Sequence, residues 1–295
     1  MKTHFTYDRS GFTMIELIFV IVILGIVASL GSKIIADVYE RYIIQRAIYR
    51  SSMKTELAAT QIANRLAYAI PGTVIGRKAD GTYLAIEDIS DENHTTLQWV
   101  SADMDSFGAL TSTTDRLPGW SGVVDLDASS LNTISTPGSK LSLTSTIISN
   151  LSNSSKNISN AAIFFPQAFT AYTVGYNGDT SNISTIASAP ADNNLTLDAK
   201  VNREVKEHYK LAWSSYAIVP IARDGLFDLE LQSNLQPWDG NDYNKAGNNG
   251  PYLIRHVSVF RFKGEGHTIR FKLCQQENIG GDYNITTCKE KAVIK

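Results

Sequence analysis

Hydrophobic and polar positions fall into three regimes along this chain. From Phe12 to Leu30, nineteen residues run with a single ionisable side chain, Glu16. As a helix this run would measure about 28 Å at ~1.5 Å per residue, against a bilayer hydrocarbon core of about 30 Å, so it is long enough to span a membrane. From Ser32 to about Ile70 the helical pattern continues without proline or glycine and stops at Pro71-Gly72. Met53, Leu57, Ala58, Ile62, Leu66 and Ala69 fall at helical spacing and predict one apolar stripe, with Lys54, Thr55, Gln61, Asn64 and Arg65 filling much of the remaining surface. A single helix over 12–70 would be roughly 88 Å long at ~1.5 Å per residue. Its membrane half is 12–30, and its second half must bury the stripe against a globular head.

From Thr73 the pattern breaks into short segments separated by Gly, Asp, Asn and Pro, as strands and turns require. Tyr83–Ile86 and Thr96–Val100 read as early strands. Tyr209–Ile221 reads as one strand up to Pro220, with Tyr209, Leu211 and Trp213 alternating, and Phe227–Leu231 alternates cleanly. Val257–Lys263, the turn Gly264-Glu265-Gly266 and Thr268–Cys274 predict a hairpin. In its second arm Ile269, Phe271 and Leu273 face one side while Thr268, Arg270 and Lys272 face the other. Ser, Thr and Asn dominate about 129–160, which reads as an exposed polar insertion, and a second polar stretch spans Asn177–Asn194. The expectation is an α+β fold: a long N-terminal helix, half transmembrane and half amphipathic, packed on an antiparallel β-sheet head over 71–295.

Composition narrows the function classes. At 295 residues the chain has enough length beyond the apolar run for a real core. Its net charge of -2 and 19% charged residues give no overall nucleic-acid-binding character. Lys2, His4 and Arg9 precede the apolar run with only Asp8 against them, which puts the N-terminus in the cytoplasm and the bulk outside. There Cys274 and Cys288 would meet oxidising conditions, and a disulfide between them would be worth about 3 kcal/mol in the chain-entropy model. Two free thiols, or half of a metal site, are the competing readings.

Glu16 is the anomaly, because a carboxylate at membrane depth costs a few kcal/mol and marks a partner or a function. No Lys or Arg lies one turn away, at positions 12, 13, 19 or 20. A cut between Gly11 and Phe12 would supply an ammonium at the start of each helix. Glu16 of one subunit can then pair with the terminus of its neighbour in a bundle that excludes water.

The run Gly11-Phe12-Thr13-Met14-Ile15-Glu16-Leu17 and the apolar stretch after it resemble the cleavage and N-methylation signature of type IV pilins and type II secretion pseudopilins. The resemblance implies a leader over 1–11, cleavage by a prepilin peptidase after Gly11, methylation of Phe12, and docking into a growing filament guided by Glu16. Its implied partners are the peptidase, the bacterial inner membrane and other pilins or pseudopilins, met through the N-terminal helix, with the head in the periplasm. A conventional secretory signal ending near Ala28 or Ser32, or a plain anchor, would leave Glu16 unexplained. Lys33 stands where type IVa pilins often carry a helix-loosening proline, so the first helix is expected to stay continuous, with Gly25 and Gly31 as weak points. Tyrosines 39, 42, 49 and 68 suit interfacial or core packing.

Gln236-Pro237-Trp238, Val257–Lys263 and Cys274 through Lys291 resemble the C-terminal part of large minor pilins and J-type pseudopilins. That implies a low-copy subunit near the filament tip, initiating or capping it, while Glu16 argues against the extreme tip position of K-type pseudopilins. A tip adhesin or DNA-uptake subunit, the one setting in which nucleic acid is a partner, and a secreted enzyme with a pilin-type signal are the rivals. No catalytic motif occurs and His4, His94, His208, His256 and His267 lack metal-ligand spacing, so the expectation is a non-enzyme without cofactor. Asp239-Gly240-Asn241-Asp242-Tyr243-Asn244 makes calcium a candidate, although turn chemistry explains the same residues. Asn93, Asn194 and Asn284 sit in extended sequons that resemble the acceptors of certain bacterial oligosaccharyltransferases; in a chain rich in Asn, Asp and Thr, chance and turn formation are the stronger explanation.

Overall fold

The computed structural model describes residues 11–112, 114–166, 176, 183–198, 204–243, 245, 247, 249–280 and 283–295. They divide into two compact units, one holding residues up to 50 with 278–285, the other 51–277 with 286–295. The fold is α+β, with one long N-terminal helix and two antiparallel sheets.

The helix α1 spans Met14–Leu66. In the first unit it is unbroken through Gly25, Gly31 and Lys33, and a Cβ at either glycine would meet no other atom within 4 Å. Its side chains from Met14 to Leu30 are exposed, as are Ile34, Ile35, Val38, Tyr39, Tyr42 and Tyr49. Here the tyrosines at 39, 42 and 49 pack into no core.

In the second unit α1 continues from Ser51 with Thr55, Ala58, Ala59, Ile62 and Leu66 buried. Met53 and Leu57, expected in the buried stripe, are 45% and 58% exposed. Helical rotation of ~100° per residue explains the difference: 55, 58, 59, 62 and 66 share one face, and 53 and 57 stand on the opposite side of the helix. Alanines on the inner face let large side chains of the sheet approach closely. The helix also ends earlier than position 70, because the Ile70 amide bonds the Val100 carbonyl at 2.9 Å and Ala69 bridges to Ser101. Sheet pairing has displaced the last helical turn.

The large sheet has eight strands: β1 (Ile75–Arg77), β2 (Tyr83–Ala85), β3 (Thr96–Ser101), β9 (Ser214–Arg223), β10 (Leu226–Leu235), β11 (Tyr252–Glu265), β12 (Thr268–Asn278) and β13 (Asn284–Ile294). Their order is β13-β12-β11-β10-β9-β3-β1-β2. One face supplies Leu97, Trp99, Ile218, Leu229, Phe260 and Phe271 to a core shared with α1. The expected hairpin is present, with Glu265 opposite Thr268 and Ile269, Phe271 and Leu273 buried. Pro220 lies opposite Leu229 but beyond the paired stretch of β3, so its missing N–H costs no ladder bond on that side.

The smaller sheet consists of β4 (Thr133–Ser135), β5 (Ala162–Phe164), β6 (Ser184–Ala191), β7 (Asn194–Leu197) and β8 (Lys210–Ala212), in the order β4-β7-β6-β5-β8. The single strand expected over 209–221 is therefore two: β8 belongs to this sheet, and the chain crosses at Trp213 to enter β9 of the other. The stretch 129–160, expected as an exposed insertion, is built into this layer. It carries β4 and the helix α3 (Leu141–Leu151) and buries Ile134, Leu141, Ile148 and Ile158 around Trp120. Isolated apolar residues at helical spacing, rather than an apolar run, supply the core there, and hydroxyls satisfy the surrounding backbone. Of the polar stretch 177–194, residues 177–182 lie outside the described residues, and the remainder forms β6 and the start of β7.

Several contacts fix β13 to the second part of α1. Lys289 and Lys291 both pair with Glu56, holding its carboxyl below the usual range through the Lys291 hydrogen bond first. Lys295 donates to the carbonyls of Leu66 and Ala69, so its amino group satisfies the C-terminal end of the helix, while burial pushes its pKa down to about 7. Cys274 and Cys288 are joined, with an S–S distance of 2.07 Å, tying β13 to β12. Replacing Cys288 by Ser should lower the melting temperature of the full chain by on the order of 10 °C, from about 3 kcal/mol of lost constraint. An unchanged melting temperature would show that the Glu56 and Lys295 contacts hold β13 alone.

A second prediction comes from the helix α2 (Met104–Gly108). Asp103 caps it, accepting from the Ser106 amide at 3.1 Å, while its other oxygen is buried without a hydrogen-bond partner. Burial pushes this carboxyl up to about 6, against the pull of the Ser106 amide. The folded value lies above the unfolded one, so the folded chain holds the proton between them. The contribution of Asp103 to stability is greatest below about pH 4 and falls by about 3 kcal/mol as pH rises through about 6. Asp103→Asn keeps the capping oxygen and removes the charge. Its melting temperature should match wild type near about pH 4 and exceed it near about pH 7; parallel curves would refute the assignment.

Candidate N-terminal processing and assembly site

Gly11, Phe12 and Thr13 precede the helix in non-helical conformation. The Thr13 carbonyl accepts from the Glu16 and Leu17 amides at 3.1 and 3.2 Å and so opens α1. Glu16 therefore sits in the first turn, where a carboxylate faces the positive end of the helix dipole. Phe12 is 74% exposed and Met14 82% exposed. Glu16 is exposed and makes no salt bridge among the described residues. The side chains one turn away, Phe12, Thr13, Phe19 and Val20, carry no positive charge.

Among the described residues nothing requires glycine at position 11: a Cβ there would meet no described atom within 4 Å, and its backbone is not left-handed. A glycine that neither packing nor backbone geometry demands is consistent with a requirement imposed from outside the fold. α1 is long and apolar enough to cross a membrane, by length and composition, and none of its apolar window is buried. The geometry brings together an exposed Phe12, a carboxylate one turn further on, and an uncovered apolar helix.

The other sequence candidates are placed differently. Asp242, from the run considered for calcium, turns inward to a salt bridge with the buried Arg77. Its second oxygen accepts from Gln98 Nε2 at 2.7 Å and from the Tyr243 amide at 2.8 Å. The Arg77 guanidinium also donates to Gln98 Oε1 at 2.7 Å and lies between the rings of Tyr83, Tyr176 and Tyr243. Both Asp242 oxygens are thus committed to protein donors, and the run 239–244 works as a turn anchored to Arg77; Asn244 itself lies outside the described residues. Among the described residues no three His, Cys, Asp or Glu side chains gather as metal ligands. Asn93 and Asn284 are exposed, whereas Asn194 is half-buried and pairs with Ser135 in the smaller sheet.

Sequence reasoning missed the Arg77 network and the Lys295 contact with the end of α1. Arg77 sits between turn residues with no periodic signal, and a terminal lysine looks like any solvated cation. The burial of both arises only when distant strands meet.

Comparison with known proteins adds one finding. The family model described as the prokaryotic N-terminal methylation motif matches residues 7–32. Searches of curated proteins and of solved structures gave no significant match. The matched residues contain Gly11, Phe12, Glu16 and the start of the long apolar helix.

Proposed function

We propose that this chain is a minor pilin or pseudopilin, a structural subunit that initiates or caps a type IV pilus or type II secretion pseudopilus. In this reading a prepilin peptidase cuts between Gly11 and Phe12 and methylates Phe12. The mature chain stays in the inner membrane through α1, with its head in the periplasm, until it enters the filament. There Glu16 pairs with the N-terminal ammonium of a neighbouring subunit, so neither charge is left alone among apolar helices. The subunit's work is mechanical and architectural rather than enzymatic.

The observation that carries the reading is the methylation motif at 7–32 placed on a helix whose apolar surface is uncovered. The unpartnered Glu16 and the structurally unneeded Gly11 are what an interface completed by other proteins would contain. The low-copy role is supported by the size of the head, whose second sheet adds bulk that a thin filament repeats poorly.

Glu16→Ala tests the mechanism. The variant should be processed, insert and fold, with its Cys274–Cys288 bond formed, yet its content in sheared filaments should fall about tenfold, the effect of losing about 1.4 kcal/mol of docking energy. Incorporation at the wild-type level would refute the pairing.

A further inference from the structure

The face of the large sheet turned away from α1 carries an unusual charge arrangement. In the β11–β12 hairpin Arg261 lies directly opposite Lys272, and Lys263 directly opposite Arg270. All four side chains are exposed, while Phe260, Phe262, Ile269, Phe271 and Leu273 between them point into the core. Strand geometry sets neighbours about 5 Å apart across the ladder and about 7 Å apart along each strand, so the four cations form one small rectangle.

Like charges directly opposite one another destabilise a sheet. Compensation is slight: Arg261 reaches Glu92, itself 83% exposed, at 3.0 Å. Lys263, Arg270 and Lys272 form no salt bridge among the described residues. This concentration stands on a chain whose net charge is -2. The cations contribute nothing to the core, and their arrangement works against the hairpin that bears them.

We propose that Arg261, Lys263, Arg270 and Lys272 form a docking surface for an acidic patch on a neighbouring, non-identical protein subunit. The inference rests on the filament-subunit reading and names the chemistry of one neighbour. Charge complementarity selects the occupant. The same face of a second copy is repelled, which favours a contact between unlike subunits. Glu92 and Glu265 border the rectangle, and Glu290 stands exposed on the adjoining strand β13. Those carboxylates and the negative net charge oppose a long polyanion such as nucleic acid, whose affinity depends on many phosphate contacts. A compact acidic patch meets the cations alone.

The double variant K263E/K272E tests this. It turns both like-charge cross-strand pairs into opposite-charge pairs, so the hairpin should be at least as stable as wild type, and loss of docking cannot be blamed on misfolding. In the native host its level in sheared filaments should fall about tenfold, with its membrane-bound, disulfide-bonded pool unchanged, while K263R/K272R behaves as wild type. In parallel, full-length wild type in uncharged detergent should bind a fluorescent peptide of four consecutive glutamates at low salt, more tightly than a short single- or double-stranded DNA of equal charge, and K263E/K272E should not. Normal incorporation of K263E/K272E would overturn the proposal. Tighter binding of DNA would reassign the face to nucleic acid, and self-association of the purified chain abolished by K263E/K272E would reassign it to a second copy; either result overturns it. If wild type itself is absent from filaments, the filament reading has failed, and the micelle assay still decides the chemistry of the face.

Discussion

The constraint on which the rest depends is the uncovered apolar surface at the start of α1, interrupted by one carboxylate. Side chains from Met14 to Leu30 are exposed, and each large apolar one among them would cost about 1.5–3 kcal/mol if left in water rather than in an apolar medium. No isolated chain in water can carry that cost. A bilayer relieves it for every residue except Glu16, and a bundle of similar helices relieves it for Glu16 as well, provided a cation is supplied. In the proposed filament, the charge that makes the helix awkward in lipid would be the one that sets its register among neighbours.

The second part of α1 meets a different solvent, the inner face of the large sheet. Thr55, Ala58, Ala59, Ile62 and Leu66 form a narrow face of mostly small side chains. Large residues from the strands, Trp99, Phe260 and Phe271 among them, supply the volume that the alanines leave free. Glu56, the Lys295 contact at the helix end and the Cys274–Cys288 bond then fix β13, the last strand, to what precedes it. Closure of the head thus depends on residues from both ends of the chain.

Much of this was legible in the sequence, for physical reasons that can be named. A nineteen-residue apolar run with one acid has few meanings in any protein. Strict alternation in Thr268–Cys274 allows only one face to be buried. Met53 and Leu57 are more hydrophobic than Ala59 and Thr55, yet at ~100° per residue they stand on the far side of the helix from Ala58, Ile62 and Leu66, and that rotation leaves them exposed. The 129–160 stretch was misread because hydroxyl-rich composition hid Ile134, Leu141 and Ile148, whose burial depends on Trp120 and strands far along the chain. At the N-terminus the residues were readable but their roles were not geometric. Gly11 and Glu16 touch little among the described residues, and the proposed function gives them meaning through proteins that act on the chain or pack against it.

The most direct measurement is the intact mass and N-terminal sequence of the chain isolated from native membranes. The account predicts a chain beginning at N-methylated Phe12. A chain retaining Met1, or one beginning near Ser29, would contradict it, because Glu16 would then have no neighbouring ammonium to pair with or would have been removed.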